Sequence, residues 1–230
     1  MKYLLLLAIL SLVNLAIAQK TGEFKFQIIA DDGESPTADT LVVEIAQTKK
    51  KFAINYYVED VYERLVVDSI AQKVVELTNE DGEKTAFVAD LSLDEGYGFT
   101  TAYDIVEQEM LEEGEYRLLT EKKTIQGWEC KKIEFLDEGK VFGSGWLAPG
   151  LHIGYSADGG FFHTKEGTVL EYTIKDDEEG GSLTMKLIKS SKTITDPAKA
   201  FSLEVPAGYT IDTMEDDYYD GEDYYDEEGE

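Results

Sequence analysis

Residues 120–146 constrain the fold of this chain more than any other stretch. They read TEKKTIQGWECKKIEFLDEGKVFGSGW. Lys131, Ile133 and Phe135 alternate with Lys132, Glu134 and Leu136. Asp137-Glu138-Gly139 interrupts the run, and Val141-Phe142 opens a second one that ends at Trp146. A period of two sends successive side chains to opposite faces of a strand, and a short glycine-containing break lets the chain double back, so the stretch predicts a β-hairpin. It holds both tryptophans and the only cysteine. A lone cysteine permits no intrachain disulfide, so the fold must hold by packing. Cys130, between Glu129 and Lys131, reads as a small buried apolar side chain.

The same pattern recurs on both sides of the hairpin. Glu23-Phe24-Lys25-Phe26-Gln27-Ile28 alternates, and Leu41-Val42-Val43-Glu44-Ile45 and Phe52-Ala53-Ile54 are further extended runs. Lys49-Lys50-Lys51 between them reads as a solvated turn. Glu63-Arg64-Leu65-Val66-Val67-Asp68, Val74-Val75-Glu76-Leu77 and Thr85-Ala86-Phe87-Val88-Ala89 follow, separated by Asp/Gly turns. Late in the chain Thr168-Val169-Leu170-Glu171-Tyr172-Thr173-Ile174-Lys175 and residues 182–189 make a second hairpin of one-sided polarity. Phe201-Ser202-Leu203-Glu204-Val205 predicts a last strand, stopped by Pro206, which has no N–H for a ladder. Short strands at regular spacing predict an antiparallel sheet or open barrel. One helix is expected over residues 104–115, where Ile105, Met110 and Leu111 share one side, four glutamates the other, and Gly114 forms the stop.

The first 18 residues carry Lys2, a leucine-rich run and Ala16-Ile17-Ala18. A positive start, a short apolar stretch and a small-x-small end read as a secretory signal peptide cleaved after Ala18. Removing 18 of 230 residues leaves 212, within the size of a single all-β domain, taken as residues 19–213. Nothing after the leader reads as a membrane span. The chain is expected in the periplasm or outside the cell.

The formal charge is −27, and −28 once Lys2 leaves with the leader. Nucleic acid and anionic lipid heads are poor partners for such a surface, because both are bound by neutralising them with Lys and Arg. Residues 214–230 are acidic and tyrosine-rich, with Asp-Tyr-Tyr-Asp at 217–220 and again at 223–226. Self-repelling charge of this density predicts a disordered tail. Asp216, Asp220, Gly221 and Glu227 fall on the spacing of a calcium loop, but Tyr218 stands at its third position and no amphipathic helices flank it.

Catalytic constellations are not legible. Ser144 lies in Gly143-Ser144-Gly145-Trp146, inside a β-run instead of a strand–elbow–helix, where flanking glycines mark a bulge or bend. His152 and His163 stand eleven positions apart and read as ordinary packing or surface residues, since a zinc site recruits several Cys or His at short spacing. No enzyme, cofactor or metal is expected.

Three segments together resemble a family of secreted bacterial proteins of unknown function. They are Thr124-Ile125-Gln126-Gly127-Trp128-Glu129-Cys130-Lys131-Lys132, the Trp146 closing the next strand, and Phe201-Ser202-Leu203-Glu204-Val205-Pro206-Ala207-Gly208-Tyr209. The resemblance spans most of residues 22–212 and implies a LolA/LolB-like fold, that of the outer-membrane lipoprotein carriers. This is mainly β, a curved antiparallel sheet wrapped as an unclosed half-barrel with one or two covering helices. The motifs are structural, and no functional residue is carried over. LolA-type proteins hold acyl chains in an apolar concavity, so the resemblance implies an apolar ligand, a lipid or acyl chain.

The residues expected on that concave face are Phe24, Phe26, Ile28, Leu170, Tyr172, Ile174, Leu183, Met185 and Leu187. The same residues would equally form a filled core under a covering helix. The expected function is a non-enzymatic extracytoplasmic binding protein for an apolar ligand. The alternative is an envelope or surface interaction protein whose acidic tail captures a basic protein or divalent cations.

Overall fold

A computed structural model describes residues 21–31, 33, 38–59, 61–90, 111, 114–154, 162–175 and 180–212. The expected leader and acidic tail lie outside these residues. So does the expected helix over 104–115, save for Leu111, Gly114 and Glu115, none of which is helical.

Each alternating run forms a strand. The first half of the chain supplies β1 (Gly22–Asp31), β2 (Asp39–Gln47), β3 (Lys51–Val58), β4 (Val61–Asp68), β5 (Lys73–Glu80) and β6 (Glu83–Asp90). The opening hairpin appears as β8 (Trp128–Asp137) and β9 (Lys140–Pro149), preceded by β7 (Tyr116–Ile125). The later strands are β10 (His163–Thr164), β11 (Gly167–Lys175), β12 (Ser182–Ser191) and β13 (Thr210–Asp212). All join one 13-stranded sheet in the order β13-β6-β5-β4-β3-β2-β1-β12-β11-β9-β8-β7, with β10 beside β11. The pairs are antiparallel except β13 with β6. β7 and β13 stand at opposite ends of that order and do not pair, so the sheet is an unclosed half-barrel.

The register sorts the residues by face. Phe24, Phe26 and Ile28 of β1 lie opposite Ile45, Val43 and Leu41 of β2, and Phe26 and Ile28 lie opposite Leu187 and Met185 of β12. Ile45 meets Ile54 of β3, and Met185 meets Tyr172 of β11. This inner face carries the main core, which also takes in Cys130, Ile133, Phe135, Leu147, Leu151 and Ile153. At β11 the register shifts between Val169 and Glu171. An extra residue in one strand changes which side chains face the core, and here both Val169 and Leu170 are buried.

Gly143 and Gly145 do not mark a bulge at Ser144. The β8–β9 register instead shifts between Phe135 and Leu136, opposite Gly143 and Val141. The glycines serve close approach. A Cβ on Gly145 would stand 2.6 Å from the Glu171 carbonyl oxygen and 2.9 Å from Tyr172 Cβ, so only glycine lets β9 and β11 pack at this point.

The outer face is also covered over β3–β6. Ala53, Val66, Val75, Leu77 and Ala86 are buried there beneath Ile194, Phe201, Leu203, Val205 and Tyr209. Asp196 caps helix α1 (Pro197–Ala200) by accepting from Lys199 N at 3.1 Å, a satisfied first-turn donor. The expected strand at 201–205 is not a strand. It is an extended strap laid across the sheet, with alternate side chains pressed on the apolar outer face, and its backbone joins no ladder until β13. Arg64 fastens it by donating from Nη2 to Lys199 O and Ala200 O, each at 3.0 Å. Truncating Phe201, only 7% exposed, is expected to cost about 3 kcal/mol. Urea unfolding of Phe201→Ala checks this, and an unshifted midpoint would mean that the strap contributes nothing.

Candidate ligand-binding site

The nine residues expected on the apolar face do come together. Phe26–Leu187, Ile28–Met185–Tyr172 and Leu183–Ile174 form cross-strand rows over β1, β12 and β11. All are buried except Ile174 and Leu183, which pack against the core from its margin. An aromatic cluster fills part of the space above them. Phe162 stacks against Phe135 at 4.7 Å between ring centroids and meets Tyr172 edge-on at 4.9 Å. Edge-on and offset pairs of this kind hold rings in place beyond what their burial does. Around this cluster the inner face is packed.

Polar groups close the core on one side. Gln47 is fully buried, donates from Nε2 to His152 O at 2.8 Å and accepts from Gly154 N at 2.8 Å. Thr168 Oγ1 accepts from Ile153 N at 3.1 Å and lies 3.1 Å from His163 Nδ1. His152 contributes its backbone carbonyl and His163 its ring to these bonds, and both residues are buried. Burial, helped by neighbouring His152, pushes the His163 imidazole down to about 3. Among the described residues no group of three or more His, Cys, Asp or Glu could hold a metal ion.

Cys130 is fully buried, and burial pushes its thiol up to about 11. Only the thiolate attacks electrophiles. The native protein is therefore expected to resist iodoacetamide near the ordinary thiol pKa of ~8.5, while the urea-unfolded chain reacts fully. Rapid labelling of the native thiol would show that this part of the core opens.

The inner face opens toward β2–β5. A cavity of about 450 Å³ there is lined by Leu41, Tyr56, Val58, Val61, Leu65, Glu63, Arg64 and Glu76. Tyr56 lies opposite Glu63 and Ile54 opposite Leu65, so these are inner-face positions continuous with the core. Leu41, Tyr56 and Leu65 touch the core cluster, while Val58 is 36% exposed. Sequence reasoning missed this apolar opening, although Leu41 and Leu65 stood in strands it had recognised. The available signal was the alternation of Tyr56 with Val58, and of Val61 with Leu65, on either side of the β3–β4 turn.

Ser144 is exposed in mid-strand between Glu134 and Thr173, a setting without the elbow a hydrolase serine needs.

No family model matches the chain, and no curated protein matches it. Solved structures do. One is an uncharacterised conserved protein from Thermus thermophilus, at TM-score 0.45 and 8% identity over 90% of this chain and 97% of that one. Another is a putative outer membrane lipoprotein-sorting protein domain from Vibrio parahaemolyticus, at TM-score 0.34 and 7% identity over 80% and 89%. A third is LprF from Mycobacterium bovis, at TM-score 0.30 and 12% identity over 78% and 90%.

Proposed function

We propose that this chain is a non-enzymatic extracytoplasmic protein that holds an apolar ligand, a lipid or acyl chain, on the open part of its inner face. The observation that carries the reading is the cavity at Leu41, Tyr56, Val58, Val61 and Leu65. Its volume falls within the ~300–1,000 Å³ of ligand pockets, and such pockets are mostly apolar with a few polar groups that orient the ligand. Glu63, Arg64 and Glu76 are the polar groups here. Export rests on the leader-like first 18 residues.

Protein purified without detergent is expected to carry lipid detectable by mass spectrometry and to bind a fluorescent acyl probe saturably. Leu65→Asp places a carboxylate on the cavity wall and is expected to weaken probe binding about tenfold or more, with the circular dichroism spectrum unchanged. Deleting residues 215–230 leaves that binding intact under this reading, and removes partner or ion capture under the acidic-tail alternative. No co-purifying lipid and no saturable binding of any acyl probe would overturn the proposal.

A further inference from the structure

A second opening lies on the other face of the sheet, under the strap. It encloses about 370 Å³ between β1–β4, β12 and α1. Its floor is made of small side chains, Ala46 and Ala53, and its roof is the turn that starts α1 at Thr195 and Asp196. Tyr57 and Tyr62, with ring centroids 5.3 Å apart, wall one side, and Tyr57 is 41% exposed. The space is therefore open and aromatic on one flank.

The charges of this groove are unbalanced once existing bonds are assigned. The register places Lys189, Lys25, Glu44, Asn55 and Arg64 in one row across five strands. Each acid at the groove already has a structural partner. Glu44 pairs with Lys25 at 2.8 Å. Glu23 accepts from Thr195 N at 2.6 Å and from Thr195 Oγ1 at 3.0 Å. Asp196 caps α1. Of the cations, Arg64, Lys189 and Lys199 form no ion pair among the described residues. Arg64 uses Nη2 on backbone carbonyls, and its buried Nε has no hydrogen-bond partner among the described residues. At one end of the groove, Arg64 and Lys199 thus present positive charge next to the tyrosine pair. In a chain of formal charge −27, such a spot is a local exception.

Lys189 stands four strands from Arg64 in that row, roughly 19 Å at ~4.8 Å per strand, so it serves the far rim and not the same ligand group.

We infer that the Arg64–Lys199 end of this groove binds a small molecule bearing one carboxylate or phosphate on a flat ring, with the anion on the two cations and the ring against Tyr57 and Tyr62. With Nη2 spent on carbonyls and Nε buried, Arg64 offers Nη1 to the oxyanion and Lys199 offers its ammonium. Arg64 borders both this groove and the acyl cavity, which share no other lining residue, and neither reading depends on the other.

Isothermal titration of the full folded chain tests it, with phenyl phosphate, benzoate, inorganic phosphate and phenol as probes. Phenyl phosphate and benzoate are expected to bind saturably at one site, inorganic phosphate more weakly, and phenol not at all. Lys199→Glu removes a cation without touching Arg64, and Ala46→Leu fills the floor. Each is expected to weaken phenyl phosphate about tenfold with an unchanged circular dichroism spectrum. Leu65→Asp on the inner face is expected to leave this binding as in the parent. The inference fails if neither ring-bearing anion binds saturably, or if both outer-face variants bind like the parent. Inorganic phosphate binding as tightly as phenyl phosphate would remove the tyrosine wall from the site.

Discussion

Leu170→Asp is expected to leave the chain unfolded, whereas Leu65→Asp leaves it folded. Leu170 is fully buried beside Val169 and Tyr172 in the packed part of the inner face. Losing the leucine side chain alone costs ~2–5 kcal/mol. The aspartate adds a carboxyl group with no donor provided for it, at several kcal/mol more whether it stays charged or takes a proton. Together these rival the whole stability of a typical domain, ~5–15 kcal/mol. Leu65 belongs to the same face but borders the open cavity, so its carboxylate reaches water and the cost falls on ligand binding. Far-ultraviolet circular dichroism and urea titration of the two variants measure the contrast. A native spectrum and an unshifted midpoint for Leu170→Asp would mean that the face is open at β11, and that the packed and open parts of the sheet have been assigned the wrong way round.

Mild acid is expected to weaken the fold through His163, well before the carboxylates titrate. The imidazole is pushed down to about 3 by burial and by His152, against ~6.5 in an unfolded chain. Between those values the unfolded chain binds a proton that the native state refuses. Stability therefore rises with pH across the window and is lost as pH falls through it, by ~1.4 kcal/mol per unit. Asp68 and Glu166 act lower. Burial raises both carboxyls, but this is outweighed by Lys51 and the Ala71 and Ile70 amides at Asp68, and by the Tyr116 and Thr164 hydroxyls at Glu166. Both are held below the ordinary range, so their contributions fade only below pH ~4. Urea midpoints between pH ~6.5 and ~4.5 should fall more steeply for the parent than for His163→Gln, which keeps a polar group near Thr168. The remaining surface charge is common to both proteins and cancels in the difference. Parallel curves over that range would show that His163 titrates normally.

Alternation made most of the sheet legible. The runs at 23–28, 131–136 and 170–175 place their residues where the period of two predicts, because each strand presents one side to the inner core, while the register shift in β11 breaks the period at 168–170. Alternation reports only an extended chain with one buried side, however, and this explains the error at 201–205. Phe201, Leu203 and Val205 obey the same period because they lie on a flat apolar surface, not because they join a ladder. The warning was in the partner strands. Phe52-Ala53-Ile54 and Val66-Val67 are unbroken apolar runs, and all five residues are buried, as in strands covered on both faces. That pattern asked for a second layer, and the C-terminal segment supplies it. The site was less legible, since Tyr172 and Leu65 look alike in sequence. Whether an inward side chain is packed or exposed depends on what crosses above it, here Phe162 and the loop at 151–154, which no local pattern reveals.

β1 runs between β2, its neighbour in sequence, and β12, a strand from the far end of the domain. The middle of the sheet is therefore completed by residues the ribosome makes late. Until residues 182–191 emerge, β1 exposes a long open edge, and closing it requires bringing together segments more than a hundred positions apart, a slow step for topological reasons. Under the proposed export, such a delay would keep the chain threadable while it meets the translocation machinery.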